Sequence, residues 1–380
     1  MDNSDNRVKK VLYVRSAPYV LTFDNYNLQE VGLGKAFCRQ GYDFDLVYYS
    51  KENRDQVIDV GDRKLSILWR RGIKLFRSGI YPFLLHKSFL DKYDIVIASE
   101  YGQITSYLLA SIHPNVYLYN GPYYNLFKIP FIEPIYDKVF CKKINQLMKI
   151  TFCKTQMAAD YIGKKGITNT TVTGVGLDIS KFDAEKEISL ETQKLLNQMD
   201  GKRNLLYVGS IIPRKNTELL IKTFVELKKD KNFKDVQLVL VGKGDEGYIN
   251  KCKSFITDEV KDDVVWCKFI KNAQLKFIYN RAYAFLLPSI QEIFGMVLLE
   301  AMYFGVPVIS SHSAGAGTLI QNGVNGLIVD EYDVISWKCA MESLLDDGQF
   351  AEKLGRNATD TIKSDFMWDS IANKMLKYIG

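Results

Sequence analysis

The sequence has few of the residues that cross-link small folds or hold metal ions. Its six cysteines are scattered with no Cys-x-x-Cys pair, and its three histidines lie far apart, so neither a zinc site nor a redox motif is predicted. No apolar run reaches the roughly 18 residues of a membrane span. The first ten residues are polar and lead directly into Val11–Val14, which is not a signal-peptide pattern. We expect a cytoplasmic protein with reduced thiols.

The chain is long enough for two domains, at roughly 150 residues each. Its 47% hydrophobic and 25% charged residues are ordinary for a soluble globular protein. The net charge of +6 lies entirely in the first half, because residues 1–185 contain 25 Lys and Arg against 19 Asp and Glu, whereas residues 186–380 contain 25 of each. We therefore expect the first half to meet an anionic partner.

Short β-branched or aromatic runs alternate with longer helical patterns along the whole chain. This alternation predicts an α/β protein with two Rossmann-like, doubly wound parallel sheets, joined by the polar stretch Asp183–Arg203. Two such domains place a ligand cleft between the carboxyl ends of their strands. The predicted strands are Lys10–Val14, Phe44–Tyr49, Ile95–Ser99, Val116–Asn120, Ile150–Lys154, Leu205–Gly209, Val236–Val241, Val264–Phe269, Ala284–Pro288 and Pro307–Ser311. Predicted helices include Asn27–Arg39, Glu218–Lys229, Gln274–Asn280 and Met296–Phe304.

The stretch Leu286–Ser310 is the most informative part of the sequence. A predicted strand ends at Pro288, a loop carries Glu292, and a helix is predicted to begin near Gly295, with Glu300 about one turn inside it. Glycine lets the backbone approach a ligand closely, and we expect the free N–H groups of residues 295–298 to form an anion site at this helix start. Carboxylates repel phosphate, so the two acids are better suited to binding hydroxyls, such as those of a sugar and a ribose.

This stretch resembles the signature of the family-4 retaining glycosyltransferases, Glu-x7-Glu followed by Gly-x-Pro-Val. Here it reads Glu292 to Glu300 and Gly305-Val-Pro307-Val. The resemblance covers most of the second half and the first half only in outline. It continues through Tyr207–Asn216, Leu238–Gly244 and Asn322–Val329, and through Gly174–Asp178 with Phe182.

The resemblance implies the GT-B fold, with two Rossmann-like domains facing a central cleft. An N-terminal acceptor-binding domain would comprise residues 1–182, and a C-terminal donor-binding domain residues 200–365. A final crossover helix within residues 366–380 would return to the first domain.

The resemblance also implies roles for individual residues. Glu292 would bind hydroxyls of the donor sugar near the reacting carbon, and Glu300 would bind the ribose hydroxyls. Lys215 would neutralise the leaving diphosphate, whose developing charge a fixed cation stabilises, with Arg214 as a second cation beside it. Further donor-binding positions are Gly209, Ser210, Gly242, Phe294, Gly295, Met296 and Val297.

Three positions depart from the family pattern. Ser210 stands where an Arg usually assists the phosphate-binding Lys, and Asp24-Asn25 stand where a glycine pair is usual. Asn120 stands where a His usually reaches the donor; it cannot act as a general base, but it can hydrogen-bond a sugar hydroxyl. A front-face retaining mechanism does not require that base, because the leaving phosphate oxygen can accept the proton. Asn120 therefore stays a catalytic candidate.

The function implied is a retaining, metal-independent transfer of a hexose from a nucleotide-sugar, with a UDP-sugar favoured, to a glycan or lipid-linked acceptor in cell-surface polysaccharide biosynthesis. No cofactor, metal or nucleic-acid partner is expected. Two alternatives stay open: a non-catalytic partner subunit with the same fold, and a nucleotide-sugar epimerase. Gly242–Gly247 matches Gly-x-Gly-x-x-Gly, but the next predicted strand leads to Lys271 rather than to an acid, which disfavours a dinucleotide site.

The run Arg63–Arg77 interleaves six cations with large apolar residues. As a helix it would be basic and amphipathic, a form that suits an anionic membrane surface at the inner face of the plasma membrane. The alternative is a core-packing helix with a solvated cationic face, and periodicity does not separate the two. The residues predicted for this membrane or acceptor surface are Trp69, Arg70, Arg71, Lys74 and Arg77, with Phe76 as a second apolar anchor.

Overall fold

The structure is a computed structural model that describes residues 7–21, 28–75 and 77–379. The chain divides into two compact units, one of residues 1–178 with 366–380 and the other of residues 179–365. Each unit is built around one large sheet covered by helices. The candidate residues Asp24, Asn25 and Phe76 lie outside the described residues.

The first unit contains an eight-stranded sheet within the residues that the structure describes. Its strands are β1 (Lys10–Val14), β2 (Asp43–Tyr49), β3 (Arg54–Val60), β4 (Arg63–Arg70), β7 (Ile95–Ser99), β8 (Val116–Asn120), β9 (Thr151–Cys153) and β10 (Thr170–Val172). Two further strands, β5 (Ile73–Leu75) and β6 (Ser78–Ile80), form a separate hairpin. Its helices are α1 (Gln29–Arg39), α2 (Lys87–Leu90), α3 (Ile104–Ile112), α4 (Ile132–Tyr136), α5 (Lys142–Leu147) and α6 (Gln156–Gly163). The strand order is β10-β9-β8-β7-β1-β2-β4-β3, and every pair is parallel except the edge pair of β3 with β4.

The expectation of a helix over Arg63–Arg77 is wrong, because this run contains the strands β4 and β5. Leu65, Ile67 and Trp69 alternate with less buried residues and are at most 1% exposed. This period of two is that of a strand with one face in the core, and β4 pairs with β2 on one side and β3 on the other. Trp69 is therefore a core residue and does not insert into a membrane.

The cations of the same run have different surroundings. Arg70 pairs with a carboxylate on β3, and Arg77 donates to the carboxylate that follows β7 at 2.9 Å. Arg71 and Lys74 are exposed. Within the described residues, no helix is long and apolar enough to cross a membrane.

The second unit is described in full and contains one six-stranded parallel sheet. Its strands are β11 (Arg203–Val208), β12 (Val236–Val241), β13 (Val264–Cys267), β14 (Ala284–Leu287), β15 (Val308–Ser311) and β16 (Leu327–Val329). Its helices are α7 (Ser180–Asp183), α8 (Leu190–Met199), α9 (Thr217–Leu227), α10 (Glu246–Lys253), α11 (Leu275–Tyr279), α12 (Met296–Tyr303), α13 (Ala316–Leu319), α14 (Val334–Asp346) and α15 (Gly348–Asp365). The strand order β13-β12-β11-β14-β15-β16 reverses between β11 and β14.

The last helix, α16 (Trp368–Leu376), packs on α1 within the first unit. Trp368 is 2% exposed, and two glycines make room for its indole. A Cβ added at Gly32 would lie 2.1 Å from the indole Nε1, and one added at Gly176 would lie 2.5 Å from the ring. The absence of side chains at these two positions therefore permits the contact between α16 and α1.

We predict that Gly32→Ala lowers the free energy of unfolding by about 1–3 kcal/mol, because the added methyl group overlaps the Trp368 ring in a packed core. Gly163→Ala is the matched control, since it also lies in a helix but its added Cβ meets nothing within 4 Å. Urea unfolding of both variants measures the difference. Equal stability of the two variants would mean that α16 does not pack tightly on α1.

Candidate active site

The carboxyl ends of β11 and β14 lie where the strand order of the second sheet reverses. The two strands pair in parallel, so the loops that follow them, residues 209–216 and 288–295, leave the sheet side by side. The Ile290 N–H donates to the Arg214 carbonyl at 2.9 Å and ties one loop to the other. In open α/β sheets, ligands bind at this reversal.

An ion pair joins these two loops. Lys215 Nζ donates to Glu292 Oε2 in a short contact, and the two side chains are only 12% and 15% exposed. Arg214 Nη1 lies 4.0 Å from the same oxygen and donates to the Gln291 carbonyl at 2.6 Å. One carboxylate therefore faces two cations, and this excess of positive charge favours an anionic ligand.

The backbone around Lys215 is held in an uncommon conformation. Pro213–Lys215 form a single 3-10 turn, and Asn216, which follows it, has a left-handed φ of 53°. Asn is one of the few non-glycine residues that adopt this conformation readily. Lys215 thus ends the turn two residues before α9 begins, and the Lys215 N–H donates to the Ile212 carbonyl at 2.9 Å.

The loop after β14 enters α12 through Gly295, whose φ of 80° is left-handed. The Leu298 N–H donates to the Gly295 carbonyl at 2.9 Å, which leaves the N–H groups of Met296 and Val297 without an acceptor among the described residues. The sequence pattern predicted four such groups at this helix start, residues 295–298, and the turn at Gly295 removes Leu298 from them. Phe294 is buried, at 2% exposure, and anchors the loop.

Backbone packing explains the Gly-x-Gly pattern after β12. A Cβ at Gly242 would lie 1.8 Å from the Gly209 carbonyl oxygen, and one at Gly244 would lie 1.9 Å from a carbonyl of the same neighbouring loop. These glycines therefore let the β12 loop pack against the β11 loop. Ser210 lies on that β11 loop with its side chain exposed, and its carbonyl accepts from the Tyr207 hydroxyl at 2.8 Å.

Glu300 is a buried carboxyl group inside α12, at 7% exposure. The Tyr279 hydroxyl donates to its Oε2 at 3.0 Å, and the Tyr279 ring stacks on Phe304. Burial raises the pKa of Glu300 to about 7, although the Tyr279 hydrogen bond and the charge of Lys181 lower it in part. The group therefore changes charge near neutral pH.

Asn120 lies in the first unit, at the end of β8, and is fully buried. Its Oδ1 accepts from the Tyr101 N–H at 3.2 Å, and its Nδ2 donates to the Pro122 carbonyl at 3.3 Å. The oxygen and the nitrogen of the amide are thus hydrogen-bonded to the backbone of the loops that follow β7 and β8. This contact set is structural, and a catalytic role for Asn120 stays a prediction.

A charged cluster that the motif search did not find lies at the carboxyl edge of the first sheet. Arg15 Nε donates to Glu30 Oε1 at 3.1 Å, and the Tyr48 hydroxyl donates to Glu30 Oε2 at 3.0 Å. Lys154 Nζ donates to Gln29 Oε1 at 2.7 Å. Burial opposes the charge of Glu30, but Arg15 and Lys154 outweigh it and hold its pKa below the usual value; burial lowers the pKa of Lys154. The position of Arg15 in the sequence could have indicated this cluster. Arg15 directly follows β1, and the strand order of the first sheet also reverses at β1.

We predict that Glu300→Gln is more stable than the wild type above about pH 7, by about 3 kcal/mol, because the amide removes the cost of burying a charge. The pKa of Glu300 in the folded state is about 7, above the ordinary value of 4.5. Between these two pH values the folded wild type therefore holds a proton on Glu300 that the unfolded chain has released. Its stability relative to the variant therefore falls as pH rises through this window. Urea unfolding between about pH 4 and pH 8 measures the difference.

Glu191→Gln is the control for this measurement, since Glu191 is an exposed acid in the first turn of α8. We expect its stability to follow the wild type across the whole pH range. A stability difference between Glu300→Gln and wild type that does not change with pH would show that Glu300 does not titrate near neutrality.

The chain resembles known proteins in both sequence and structure. Residues 190–361 match the family model described as Glycosyl transferases group 1. An uncharacterized glycosyltransferase of Methanocaldococcus jannaschii is 30% identical over 208 residues, which cover 52% of this chain and 50% of that protein. A D-inositol 3-phosphate glycosyltransferase of an Arthrobacter species is 32% identical over 159 residues, or 42% of this chain and 38% of that protein. The chain thus spans about half the length, or less, of these curated relatives.

Solved structures extend the similarity to both units. HepE of Anabaena in complex with UDP is 17% identical, with a TM-score of 0.71 over 97% of this chain and 99% of that chain. Sucrose-phosphate synthase of Thermosynechococcus elongatus is 19% identical, with a TM-score of 0.70 over 97% and 98%. The predicted GT-B fold is confirmed by these matches. Residues 190–361 of this chain therefore match the glycosyl transferases group 1 family, within a chain that has the GT-B fold.

Proposed function

We propose that this protein is a retaining glycosyltransferase that binds a nucleotide-sugar donor in its second unit. The observation that carries the proposal is the Lys215–Glu292 pair, set beside the unpaired helix N–H groups of Met296 and Val297 at the strand-order reversal. This arrangement offers a cation and N–H donors to a diphosphate, and a carboxylate to sugar hydroxyls. The UDP held by the Anabaena structure supports a UDP-sugar as the donor.

Each group at the site has a role in this reaction. Lys215 and the helix N–H groups stabilise the charge that develops on the departing diphosphate. Glu292 accepts hydrogen bonds from hydroxyls of the transferred hexose and fixes its orientation. Glu300, once ionised, accepts from the ribose hydroxyls, a role that its buried carboxyl group can fill at neutral pH.

Retention of configuration follows if the acceptor hydroxyl attacks from the same face that the diphosphate leaves. The leaving phosphate oxygen then accepts the acceptor's proton, so no side-chain base is needed. The role of Asn120 in this mechanism is a hydrogen bond to a sugar hydroxyl, because an amide does not accept a proton at neutral pH.

The acceptor in this proposal is a glycan or a lipid-linked sugar, bound by the first unit during cell-surface polysaccharide biosynthesis in the cytoplasm. The net charge of +6 carried by residues 1–185 suits an anionic acceptor such as a lipid pyrophosphate or an acidic glycan. The cluster of Arg15, Glu30 and Lys154 gives polar contacts at the edge of the sheet where an acceptor would lie.

The reaction is proposed to need no metal ion. Within residues 7–21, 28–75 and 77–379, no three His, Cys, Asp or Glu side chains are grouped so as to hold one. Lys215 and the helix N–H groups supply the positive charge that a bound cation gives other phosphate-transfer sites.

A second candidate is a non-catalytic partner subunit with the same fold. The specific observation in its favour is Asn120, whose amide is occupied by two backbone groups rather than presented to a ligand. Such a subunit would bind a nucleotide without transferring its sugar. A nucleotide-sugar epimerase differs from both, because it converts the donor with no acceptor present.

The test of the function is a panel of nucleotide-sugars screened first by thermal shift, since a ligand that binds only the folded state raises Tm. The donor that raises Tm most is then incubated in excess chelator with candidate glycan and lipid-linked acceptors. We expect product with a retained anomeric configuration by NMR. Binding without turnover supports the partner subunit, donor conversion without acceptor supports the epimerase, and activity restored only by added metal contradicts metal independence.

We predict that Lys215→Met lowers kcat/KM by about 100-fold, the usual cost of removing one fixed group that stabilises transition-state charge. Glu292→Gln is expected to lower kcat more than it raises KM, because its contacts lie at the reacting sugar. Glu300→Ala is expected to raise the Kd for the donor, because its contacts lie at the ribose. Steady-state kinetics and calorimetric titration separate these effects.

Lys222→Met is the matched control for Lys215→Met. Lys222 lies in the middle of α9 and also forms an ion pair, but with Glu218, one turn earlier on the same helix. It should keep wild-type kinetics. Wild-type turnover in both Lys215→Met and Glu292→Gln would rule out the assigned site.

A further inference from the structure

An exposed apolar stripe runs along one helical segment of the first unit. A π-helical turn, Asp137–Cys141, joins α4 to α5, so that residues 132–147 form one continuous helical segment. Phe131, Ile135 and Val139 stand four residues apart and are 67%, 59% and 46% exposed. Residues four apart lie on the same face of a helix, so these three side chains form one stripe.

The stripe borders a groove of about 260 Å³ that is lined mainly by apolar side chains. Ile135 and Val139 line the groove together with Phe127 and with Leu75 of the β5–β6 hairpin. Ile73, on the same hairpin, is 62% exposed and extends the apolar surface. Contiguous exposed apolar surface of this kind marks an interaction site in soluble proteins.

The charges of this segment are separated by sign. Residues 126–149 contain five lysines and two acids. Both acids, Glu133 and Asp137, pair with Lys165 on the inner side of the segment, and Glu133 is buried. All five lysines are exposed and form no ion pair among the described residues: Lys128, Lys138, Lys142, Lys143 and Lys149.

We propose that this stripe, the groove beside it and the five exposed lysines form a docking surface for an anionic lipid bilayer. Apolar side chains on the outer face, cations beside them and acids turned inward match the two contributions to interfacial binding: apolar burial and attraction to anionic headgroups. A second copy of this chain fits the surface less well, because a symmetric contact would bring the same lysines together. The proposal goes beyond the catalytic one and does not rest on it.

Vesicle sedimentation tests this surface. We expect the wild type to bind vesicles of phosphatidylglycerol and phosphatidylcholine, to bind phosphatidylcholine alone weakly, and to be released at high salt. Changing Lys128, Lys138 and Lys142 to Gln should weaken the binding by about 100-fold, since each cation near an anionic surface contributes a factor of about five. Changing Phe131, Ile135 and Val139 to Ser should also abolish sedimentation, because the apolar contact is lost.

Matched controls carry the same changes on the second unit: Lys194, Lys231 and Lys234 to Gln, and Leu190, Val324 and Ile335 to Ser, all exposed residues. Both controls should bind vesicles as the wild type does. Unchanged Tm values for the patch variants show that they fold, and light scattering reports the oligomeric state. The proposal is overturned if the wild type does not bind anionic vesicles, if the patch variants bind as well as the controls, or if the patch holds a dimer that the patch variants dissociate.

Discussion

The reversal of strand order between β11 and β14 is the constraint on which the candidate site depends. Parallel strands deliver all their following loops to one edge of the sheet, and at the reversal two neighbouring loops lead to helices on opposite faces. Lys215 and Glu292 are 77 residues apart in sequence, yet this arrangement brings them into direct contact. The backbone bond from Ile290 to Arg214 then fixes one loop against the other.

The site combines two uncommon backbone turns with a buried carboxyl group. Asn216 and Gly295 hold left-handed conformations in the loops that carry the ion pair, and both are residue types that adopt this conformation readily. Glu300 is a carboxyl group buried against an aromatic pair, and burial of its charge costs stability. Carboxyl groups with perturbed pKa values concentrate at functional sites. The position of Glu300 in the helix after the reversal is therefore a physical argument for a ligand site at this point.

The first unit shows how the same sheet architecture can carry different surfaces. At the carboxyl edge, Arg15, Glu30 and Lys154 form a mostly buried polar cluster in which opposite charges compensate one another. Along residues 131–147, by contrast, the two acids pair with Lys165, whereas the lysines and the side chains of Phe131, Ile135 and Val139 are exposed. The positive charge of the first half is therefore divided between paired internal cations and unpaired external ones. Only the external cations can attract a distant anionic surface.

The sequence by itself determined the elements whose pattern is local. Runs such as Lys10–Val14, Ile95–Ser99 and Val236–Val241 are strands at the predicted residues because a strand buried on both faces needs a continuous apolar run. The signature from Glu292 to Glu300 likewise marked a loop followed by a helix, since a glycine at the helix start and acids at fixed spacing are local features. The conformation of that part of the site could be predicted because it depends on neighbouring residues only.

Tertiary structure decided the features that depend on distant partners. Arg63–Arg70 became a strand because β2 and β3 offered pairing on both sides, whereas cations mixed with apolar residues also fit a helical pattern. The amide of Asn120 is occupied by backbone groups of two loops, which its Asn-Gly-Pro context does not reveal. The raised pKa of Glu300 arises from burial, and the outward lysine face of residues 131–147 from the pairing of both acids with Lys165. A sequence lists charges, but only the folded chain determines which of them meet.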